Sequence, residues 1–333
     1  MSQEPGRFRS PRIALEAVRT RLVMAGAFVG ALIALGLSVA FSWTDDATGG
    51  SGTGPGGGKL SPAAEEAFKS PAGSCLNWKQ KDAADVHIVP CAESHLFEVT
   101  SVEDIGGQYP KGVPTPDISL WERIAQEHCT GNAKNYLGKP LDPYGKFTVN
   151  ILRPTAAQWA AGNRQLRCGL QWTGPGGGLQ PLTGSAKDQQ QSLVWEPGIC
   201  LGLAGKGPGD PVDCAREHSY EIIAKLDLKT KFPDSYPSQD NQKTWLDTEC
   251  TKAAGEYTGG ADLGDKKLIL TWDTRETESW DAGSTLVNCK VAAKLEDGSG
   301  LAAVTGSVKA GPQGDAPPPS DSASASPTPT SGG

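Results

Sequence analysis

The sequence contains fewer apolar residues than a fully packed chain requires. Hydrophobic residues make up 37% of its 333 residues, whereas globular proteins contain about 45 to 50% under a similar definition. Its 42 glycines and 25 prolines also favour irregular segments. The length allows about two domains, so part of the chain is expected to lie outside any packed core.

An excess of basic charge is also missing from most of the chain. Residues 1–43 contain five of the 31 basic and two of the 38 acidic residues, which leaves 26 basic and 36 acidic residues beyond position 43. A surface with a net charge of −10 repels phosphate backbones, so nucleic acid is excluded as a partner of this part.

The first 74 residues lack cysteine but contain a long uncharged run at positions 22–43. A run of this length can span about 30 Å of hydrocarbon as a helix. Five arginines precede it and Asp45 and Asp46 follow it, so the positive-inside rule puts residues 1–21 in the cytoplasm. The sequence therefore predicts a single-pass plasma-membrane protein whose chain is extracytoplasmic beyond this segment.

Two further features of this run bear on its role. A cleaved signal peptide is the alternative, since Ser38-Val39-Ala40 has the small-x-small pattern of a cleavage site, but signal h-regions run only about 7 to 15 residues, so the anchor is preferred. Gly26 and Gly30 have the spacing that lets two membrane helices approach closely. A homodimer through these glycines is a further expectation.

Low-complexity composition marks two segments outside the expected core. Residues 44–71 begin with a run rich in Gly, Ser and Thr, which predicts a flexible tether between membrane and domains. Residues 311–333 contain almost only Pro, Ser, Ala, Thr, Gly and Asp. Such a composition cannot bury enough apolar surface to fold, so a disordered tail is predicted.

The eight cysteines divide into two sets of four with matching spacing. Successive cysteines are separated by 16, 38 and 39 positions in the first set and by 14, 36 and 39 positions in the second. The sets are Cys75, Cys91, Cys129 and Cys168, and then Cys200, Cys214, Cys250 and Cys289. Self-similarity of this kind predicts two copies of one module, at 72–173 and 197–310, joined by a linker at 174–196.

Other residues recur at fixed distances from these cysteines. A histidine and a glutamate follow the second cysteine of each set by four and seven positions, a tyrosine follows the third by seven, and a tryptophan precedes the fourth by nine. These residues are His95, Glu98, Tyr136 and Trp159, and then His218, Glu221, Tyr257 and Trp280. Such matches in residue type and spacing strengthen the prediction of a repeat.

Each module is predicted to be a small α+β unit. Apolar residues at helical spacing predict a helix over 118–137 with Asp117 as its N-cap, and 242–257 corresponds to it. Strands are predicted over 86–89, 96–100, 147–152 and 165–172, with counterparts at Val212 and near 220–223, 268–272 and 285–292. Each Trp of the repeat then lies on a short helix between two strands.

Disulfides are expected because an even set of cysteines follows a predicted membrane segment. Four cysteines allow three pairings, and sequence does not decide among them. Pairing first with second and third with fourth is preferred, since it joins the N-terminal strands and ties the helix to the last strand.

The recurring residues resemble a known family. The pattern Gly73-x-Cys75, then Cys91-x-x-x-His95-x-x-Glu98, then Cys129, then Trp159-x-x-Gly162-x-Arg164-x-x-x-Cys168 is similar to the septum-formation domain of actinobacterial membrane proteins. The second copy has Asp213 in place of Pro90 and Ser284-Thr285 near the Arg164 position, so it resembles a diverged copy. The resemblance implies a membrane-anchored envelope protein linked to cell division, and it brings no reaction with it.

His95 and Glu98, with their copies His218 and Glu221, are the sharpest chemical candidates, because a histidine and a carboxylate can bind metal or exchange protons. A structural role is preferred. Residues three apart on a strand point to opposite faces, which would place His95 with Phe97 and Val99. Zinc needs about four ligands, and each module offers one matched histidine once its cysteines are oxidised, so neither a metal nor a cofactor is predicted.

No signature of catalysis is present. The chain contains neither G-x-S-x-G nor S-x-x-K, and no cysteine stays free if all eight pair. We therefore expect a non-catalytic protein that binds an envelope protein or a cell-wall partner, with Trp159 and Trp280 filling the cores. The alternatives are a cell-wall hydrolase, a carbohydrate-binding protein and an exported metal-binding sensor.

Overall fold

The computed structural model describes residues 60–309. The predicted cytoplasmic segment, membrane helix, Gly26 and Gly30 pair and C-terminal tail lie outside these residues, as does the tether before position 60. Within residues 60–309, no helix combines the length and the apolar character needed to cross a membrane.

The described chain is an α+β protein built on two antiparallel sheets. The first sheet has the strand order β2-β1-β3-β5-β4, and β6 pairs with β5 outside this path. Its strands are β1 Cys75–Asn77, β2 His87–Val89, β3 Phe97–Asp104, β4 Phe147–Leu152, β5 Gln165–Thr173 and β6 Leu179–Gln180.

The second sheet has the corresponding order β8-β7-β9-β11-β10, and β12 pairs with β11 outside this path. Its strands are β7 Cys200–Ala204, β8 Gly207–Val212, β9 Tyr220–Asp227, β10 Ile269–Trp272, β11 Leu286–Lys294 and β12 Leu301–Ala302. The strand pairing also corresponds, since Glu98 lies opposite Cys75 and Glu221 lies opposite Cys200.

One long helix packs on each sheet. Helix α2, Ile118–Leu137, begins at its N-cap Asp117, whose side chain accepts from the Leu120 amide, and ends at Gly138 in the left-handed conformation. These caps satisfy end groups that the helix itself leaves unpaired. Its counterpart is the equally long α4, Gln239–Thr258, and the shorter helices are α1 Pro62–Ala67, α3 Ala156–Ala161 and α5 Thr277–Asp281.

Four disulfides join the pairs that the sequence analysis preferred. They are Cys75–Cys91, Cys129–Cys168, Cys200–Cys214 and Cys250–Cys289. In each half one bridge ties the first strand to the turn after its neighbour. The other bridge ties the long helix to the central strand that carries the fourth cysteine, and it lies in the hydrophobic core between helix and sheet.

Two segments predicted to lie outside the modules are folded. Residues 60–71 were expected to be tether, but they include α1, whose Ala64 and Ala67 are buried against Leu76 and Val86. Residues 174–196 were expected to be linker, but they contain β6 and a bridge in which the backbones of His95 and Leu182 exchange hydrogen bonds of 2.9 and 2.8 Å. Composition missed these contacts because they depend on partners far along the chain.

The two halves meet along a buried polar seam. The side chain of Asn288 on β11 bonds both the amide and the carbonyl of Trp195 at 2.8 Å. Asp142 accepts a 2.8 Å bond from Ser279 of the other half, and the indoles of Trp172 and Trp195 stack with centroids 4.7 Å apart. The segment that follows β6 is therefore enclosed between the two halves.

Candidate functional site

His95, in an isolated bridge just before β3, is held by its own backbone and by its ring. It is fully buried, and its Nδ1 lies 2.9 Å from the carbonyl oxygen of Glu93. Because a carbonyl only accepts, Nδ1 carries the hydrogen in this bond. The bond fixes the ring with Nε2 directed away from the Glu93 carbonyl.

Glu98, the second residue of β3, has a fully buried carboxylate. Its Oε1 accepts bonds from the Tyr136 hydroxyl at 2.5 Å and the Ser185 hydroxyl at 2.6 Å. Its Oε2 accepts from the Ala186 amide at 2.7 Å. A buried carboxylate is costly unless it is hydrogen-bonded, and here three donors from α2 and from the segment after β6 meet that need.

The Tyr136 hydroxyl stays protonated because of this environment. Burial raises the pKa of Tyr136, and the hydrogen bond to Glu98 and its negative charge raise this pKa further. The phenol is therefore a permanent donor to Glu98 near neutral pH.

His95 and Glu98 come together, against the expectation that they point to opposite faces. His95 Nε2 lies 3.9 Å from Glu98 Oε2. The reason is that β3 begins only at Phe97. His95 forms an isolated bridge with Leu182, and a bend at Leu96 separates it from β3, so the alternation of one continuous strand does not apply. Sequence spacing alone could not place the ring, because the strand boundary decides its direction.

The second half repeats this arrangement. His218 Nδ1 lies 2.9 Å from the Arg216 carbonyl oxygen. Glu221 Oε1 accepts from Tyr257 at 2.8 Å and from Ser307 at 2.5 Å, and its Oε2 accepts from the Val308 amide at 2.8 Å. Burial and the charge of Glu221 likewise raise the pKa of Tyr257.

We name these groups of residues the first and second buried clusters. The first consists of Cys75, Cys91, His95, Glu98, Tyr136 and Ser185, and the second of Cys200, Cys214, His218, Glu221, Tyr257 and Ser307. In each cluster, one atom each from the buried cysteine, the histidine and the glutamate lie within 4.8 Å of one another. With its cysteine reduced to a thiolate, this donor set would be of the kind that binds transition metals.

Comparison with known families settles where the chain belongs. The model of a family described as septum formation matches residues 72–289. This chain belongs to the septum formation family. The match covers the first sheet and all eight cysteines, and it ends within β11 of the second sheet.

Two relatives in Mycobacterium tuberculosis are similar over much of this family member. They are the uncharacterized membrane proteins Rv3835 of strain H37Rv and MT3943 of strain CDC 1551, each 35% identical over 245 residues. The match covers 71% of this chain and 54% of each relative, so the chain spans about half the length of the curated relatives it matches. No solved structure matches it.

The serines of the two buried clusters are the residues that the sequence analysis missed. Ser185 follows Thr183-Gly184 and Ser307 follows Thr305-Gly306, at 17 and 18 positions after the fourth cysteine of each set. The Gly184 and Gly306 amides bond the carbonyls of Cys91 and Cys214. This repeated Thr-Gly-Ser would have extended the first predicted module of this family member beyond position 173.

The paired tryptophans pack in the cores, one more deeply than the other. Trp159 is buried, and its indole N–H donates to the Val113 carbonyl at 2.9 Å. Arg164, buried beside it, lies 3.7 Å from the centre of the Trp159 ring and donates to the Tyr109 carbonyl. Trp280 is only partly buried and packs against the second core and Tyr236.

Proposed function

We propose that this chain is a non-catalytic, single-pass envelope protein whose extracytoplasmic part binds an envelope protein or a cell-wall partner during septum formation. In this proposal residues 1–21 are cytoplasmic, residues 22–43 cross the plasma membrane and the halves described above lie outside. The family assignment supports the link to septation. The relatives' description as membrane proteins supports the anchor.

The observation that carries the non-catalytic part is the burial of the recurring residues. His95, Glu98, His218 and Glu221 are at most 2% exposed, and both glutamates are hydrogen-bonded to donors from distant segments. A catalytic acid or base must reach the proton that it transfers. These four residues instead hold the turn after each first disulfide, so their recurrence is accounted for by the fold.

The proposal includes two tandem copies of one module. Its support is that both halves have the same strand order, the same pairing of glutamate with cysteine and the same disulfides. The bond between Ser279 and Asp142 joins the copies directly, and Asn288 joins them through Trp195, which stacks on Trp172. We infer that a partner is recognised by the joined pair and that one copy alone binds more weakly.

Export is supported by the disulfides. Bridges of this number persist in oxidising compartments and are rare in the cytoplasm. The arginines before position 22 and the acidic residues after position 43 give the matching orientation. A reporter fused after Gly311 should be active only outside the cytoplasm, and activity only inside the cytoplasm would refute the orientation.

Localisation combined with depletion tests the division role. A tagged chain should concentrate at septa, and its depletion should delay or misplace them. A chain with Asn288→Ala, which weakens the seam, should localise less well than the parent. The matched control is a chain with the exposed Asn241→Ala, which should localise normally. Even labelling of the envelope together with normal septa after depletion would remove the division link.

The hydrolase and carbohydrate-binding alternatives are separated by assays on the purified chain. The proposal expects no muropeptide release from cell-wall sacculi. Replacing any single carboxylate of the chain should not change this result. Steady release of soluble muropeptides above a boiled control would replace the binding proposal with an enzymatic one. Pull-down with purified sacculi then distinguishes a cell-wall partner from a protein partner.

A further inference from the structure

We propose that each buried cluster is a masked metal site, which a dithiol reductant opens by breaking the disulfide and which then binds zinc. In the first cluster the ligands are Cys75, Cys91, His95 and Glu98. In the second cluster they are Cys200, Cys214, His218 and Glu221. This inference is independent of the division role, because it concerns the chemistry of the clusters alone.

The first argument is the distance between the two ligands that are already free of the disulfide. Ligand atoms on one tetrahedral zinc lie roughly 3.2 to 3.8 Å apart, given bond lengths of about 2.0 to 2.3 Å. His95 Nε2 and Glu98 Oε2 are 3.9 Å apart, and the Cys75 sulfur lies within 4.8 Å of the ligand atoms of both residues. A shared ion therefore needs only small movements.

The second argument is the state of the His95 ring. Its Nδ1–H is committed to the Glu93 carbonyl, whereas Nε2 is buried and has no hydrogen-bond partner among residues 60–309. Buried polar atoms almost always have a partner, so an orphaned one calls for an explanation. A metal-binding histidine has this arrangement, with one nitrogen bonded to a backbone carbonyl and the other presenting its lone pair.

The third argument is the support around Glu98. Tyr136, Ser185 and the Ala186 amide fix both carboxylate oxygens. Metal-binding carboxylates are commonly held by such outer hydrogen bonds, which orient the ligand before the ion arrives. The second cluster has the same supports around Glu221, so the groups that hold the carboxylate are repeated as well as the ligands.

The disulfide decides when the site is available. In the oxidised protein Cys75 and Cys91 are bonded to each other and supply no thiolate. A dithiol supplies two electrons, the S–S bond breaks, each sulfur takes up one proton and the dithiol becomes a disulfide. Zinc then binds both sulfurs, and their two protons pass to solvent.

The two kinds of bridge in this chain differ in access, which gives an internal control. Cys91 and Cys214 are partly exposed, whereas both sulfurs of the Cys129–Cys168 bridge belong to fully buried residues. The Cys250–Cys289 bridge is buried in the same way. Reductant should therefore open the bridges of the two clusters first, and the buried bridges should stay closed under mild conditions.

The test measures zinc bound to the full chain, purified in detergent, before and after mild reduction. Mass mapping of alkylated thiols shows which bridges have opened. The oxidised chain should bind no zinc with nanomolar affinity, the range of structural zinc sites. The reduced chain should bind two zinc ions, one for each cluster, and cobalt in place of zinc should give the absorption of sulfur-bound metal.

Single variants separate a built site from loose thiols. Reduced His95→Ala and His218→Ala chains should each bind one zinc ion tightly, while His128→Ala, which changes a histidine outside both clusters, should still bind two. The proposal is overturned if the reduced chain binds no zinc. It is also overturned if His95→Ala binds as much as the parent, or if circular dichroism shows that reduction unfolds the chain and zinc does not restore it.

Discussion

The Tyr136 hydroxyl lies 2.5 Å from Glu98 Oε1, which joins α2 to the second residue of β3. Tyr257 and Glu221 form the same bond at 2.8 Å in the other half. Because the carboxylate is buried, this contact links the helix, the sheet and the turn after the first disulfide.

Removing this hydroxyl should destabilise the protein without changing its fold. Tyr136→Phe leaves the ring but takes one donor from a buried charge, so we expect a loss of about 1.5 to 3 kcal/mol in the free energy of unfolding. Tyr257→Phe should behave similarly, while Tyr144→Phe, at a residue that is 53% exposed, should change little. Urea unfolding measures all three, and a loss as small as that of the control would show that the bond contributes nothing.

Ser185 should behave as part of the first cluster and not as part of a linker. Ser185→Ala removes the other donor to Glu98 Oε1, and we expect a cost of about 1 to 3 kcal/mol. Since Tyr136 and Ser185 bond the same oxygen, the double variant should depart from additivity by about 0.5 kcal/mol or more in a double-mutant cycle. The exposed Ser299 gives the matched control, and full additivity would contradict a shared cluster.

Local signals in the sequence predicted the elements that they encode directly. The helix over 118–137 and the strand over 147–152 have the predicted bounds, because a cap residue, apolar spacing and a final glycine fix them locally. Of strand β8, only its last residue, Val212, was predicted. Gly207, Pro208, Gly209 and Pro211 carry no strand signal, and proline is tolerated there because β8 is an edge strand.

The site was only partly predictable, for a different reason. The recurrence of His95, Glu98 and Tyr136 is visible in the sequence, but their contact depends on a strand that starts at Phe97 and on a helix 38 positions away. The Ser185 contact spans 87 positions. Long-range contacts of this kind leave no local pattern, and only the repeated Thr-Gly-Ser could have indicated them.

In the oxidised protein, the two histidines should act as packed structural residues. His95→Ala removes the bond to the Glu93 carbonyl and leaves a cavity, so we expect a loss of about 1 to 2 kcal/mol and a fall of several degrees in the melting temperature. His218→Ala should cost about the same, and His128→Ala much less. Calorimetry under oxidising conditions measures this, and a stable His95→Ala chain that no longer localises to septa would instead make His95 an interaction residue.

Lys146 should give the protein a distinct pH dependence. Burial lowers the pKa of Lys146 to about 8, and the positive charges of Lys225 and Lys139 add to this. Below pH 8 the folded state holds a charge that it disfavours, and this penalty is relieved as the pH rises from about 8 to the ordinary lysine value of about 10.4. Stability should therefore rise over this interval in the parent and not in Lys146→Met.

The comparison for Lys146 is made on differences, because other groups titrate in the same range. The raised pKa values of Tyr136 and Tyr257 lower stability once the unfolded tyrosines ionise above about pH 10. Melting temperatures of parent and variant should thus be subtracted at each pH from 7 to 10. Lys252→Met, at an exposed residue of α4, is the control, and parallel curves for parent and Lys146→Met would contradict the assignment.

Asn288 should couple the unfolding of the two halves through Trp195, whose indole stacks on Trp172 of the first half. Its side chain accepts from the Trp195 amide and donates to the carbonyls of Trp195 and Ala224 at 2.8 and 3.1 Å. Asn288→Ala leaves buried backbone groups unpaired, each of which costs about 1 to 3 kcal/mol. The parent should therefore unfold in one transition seen by tryptophan fluorescence and by circular dichroism, whereas Asn288→Ala should lower the midpoint and separate the two signals. Exposed Asn241→Ala should keep one transition at the parental midpoint. Two separate transitions in the parent itself would mean that the seam joins the halves in the folded state without making their unfolding cooperative.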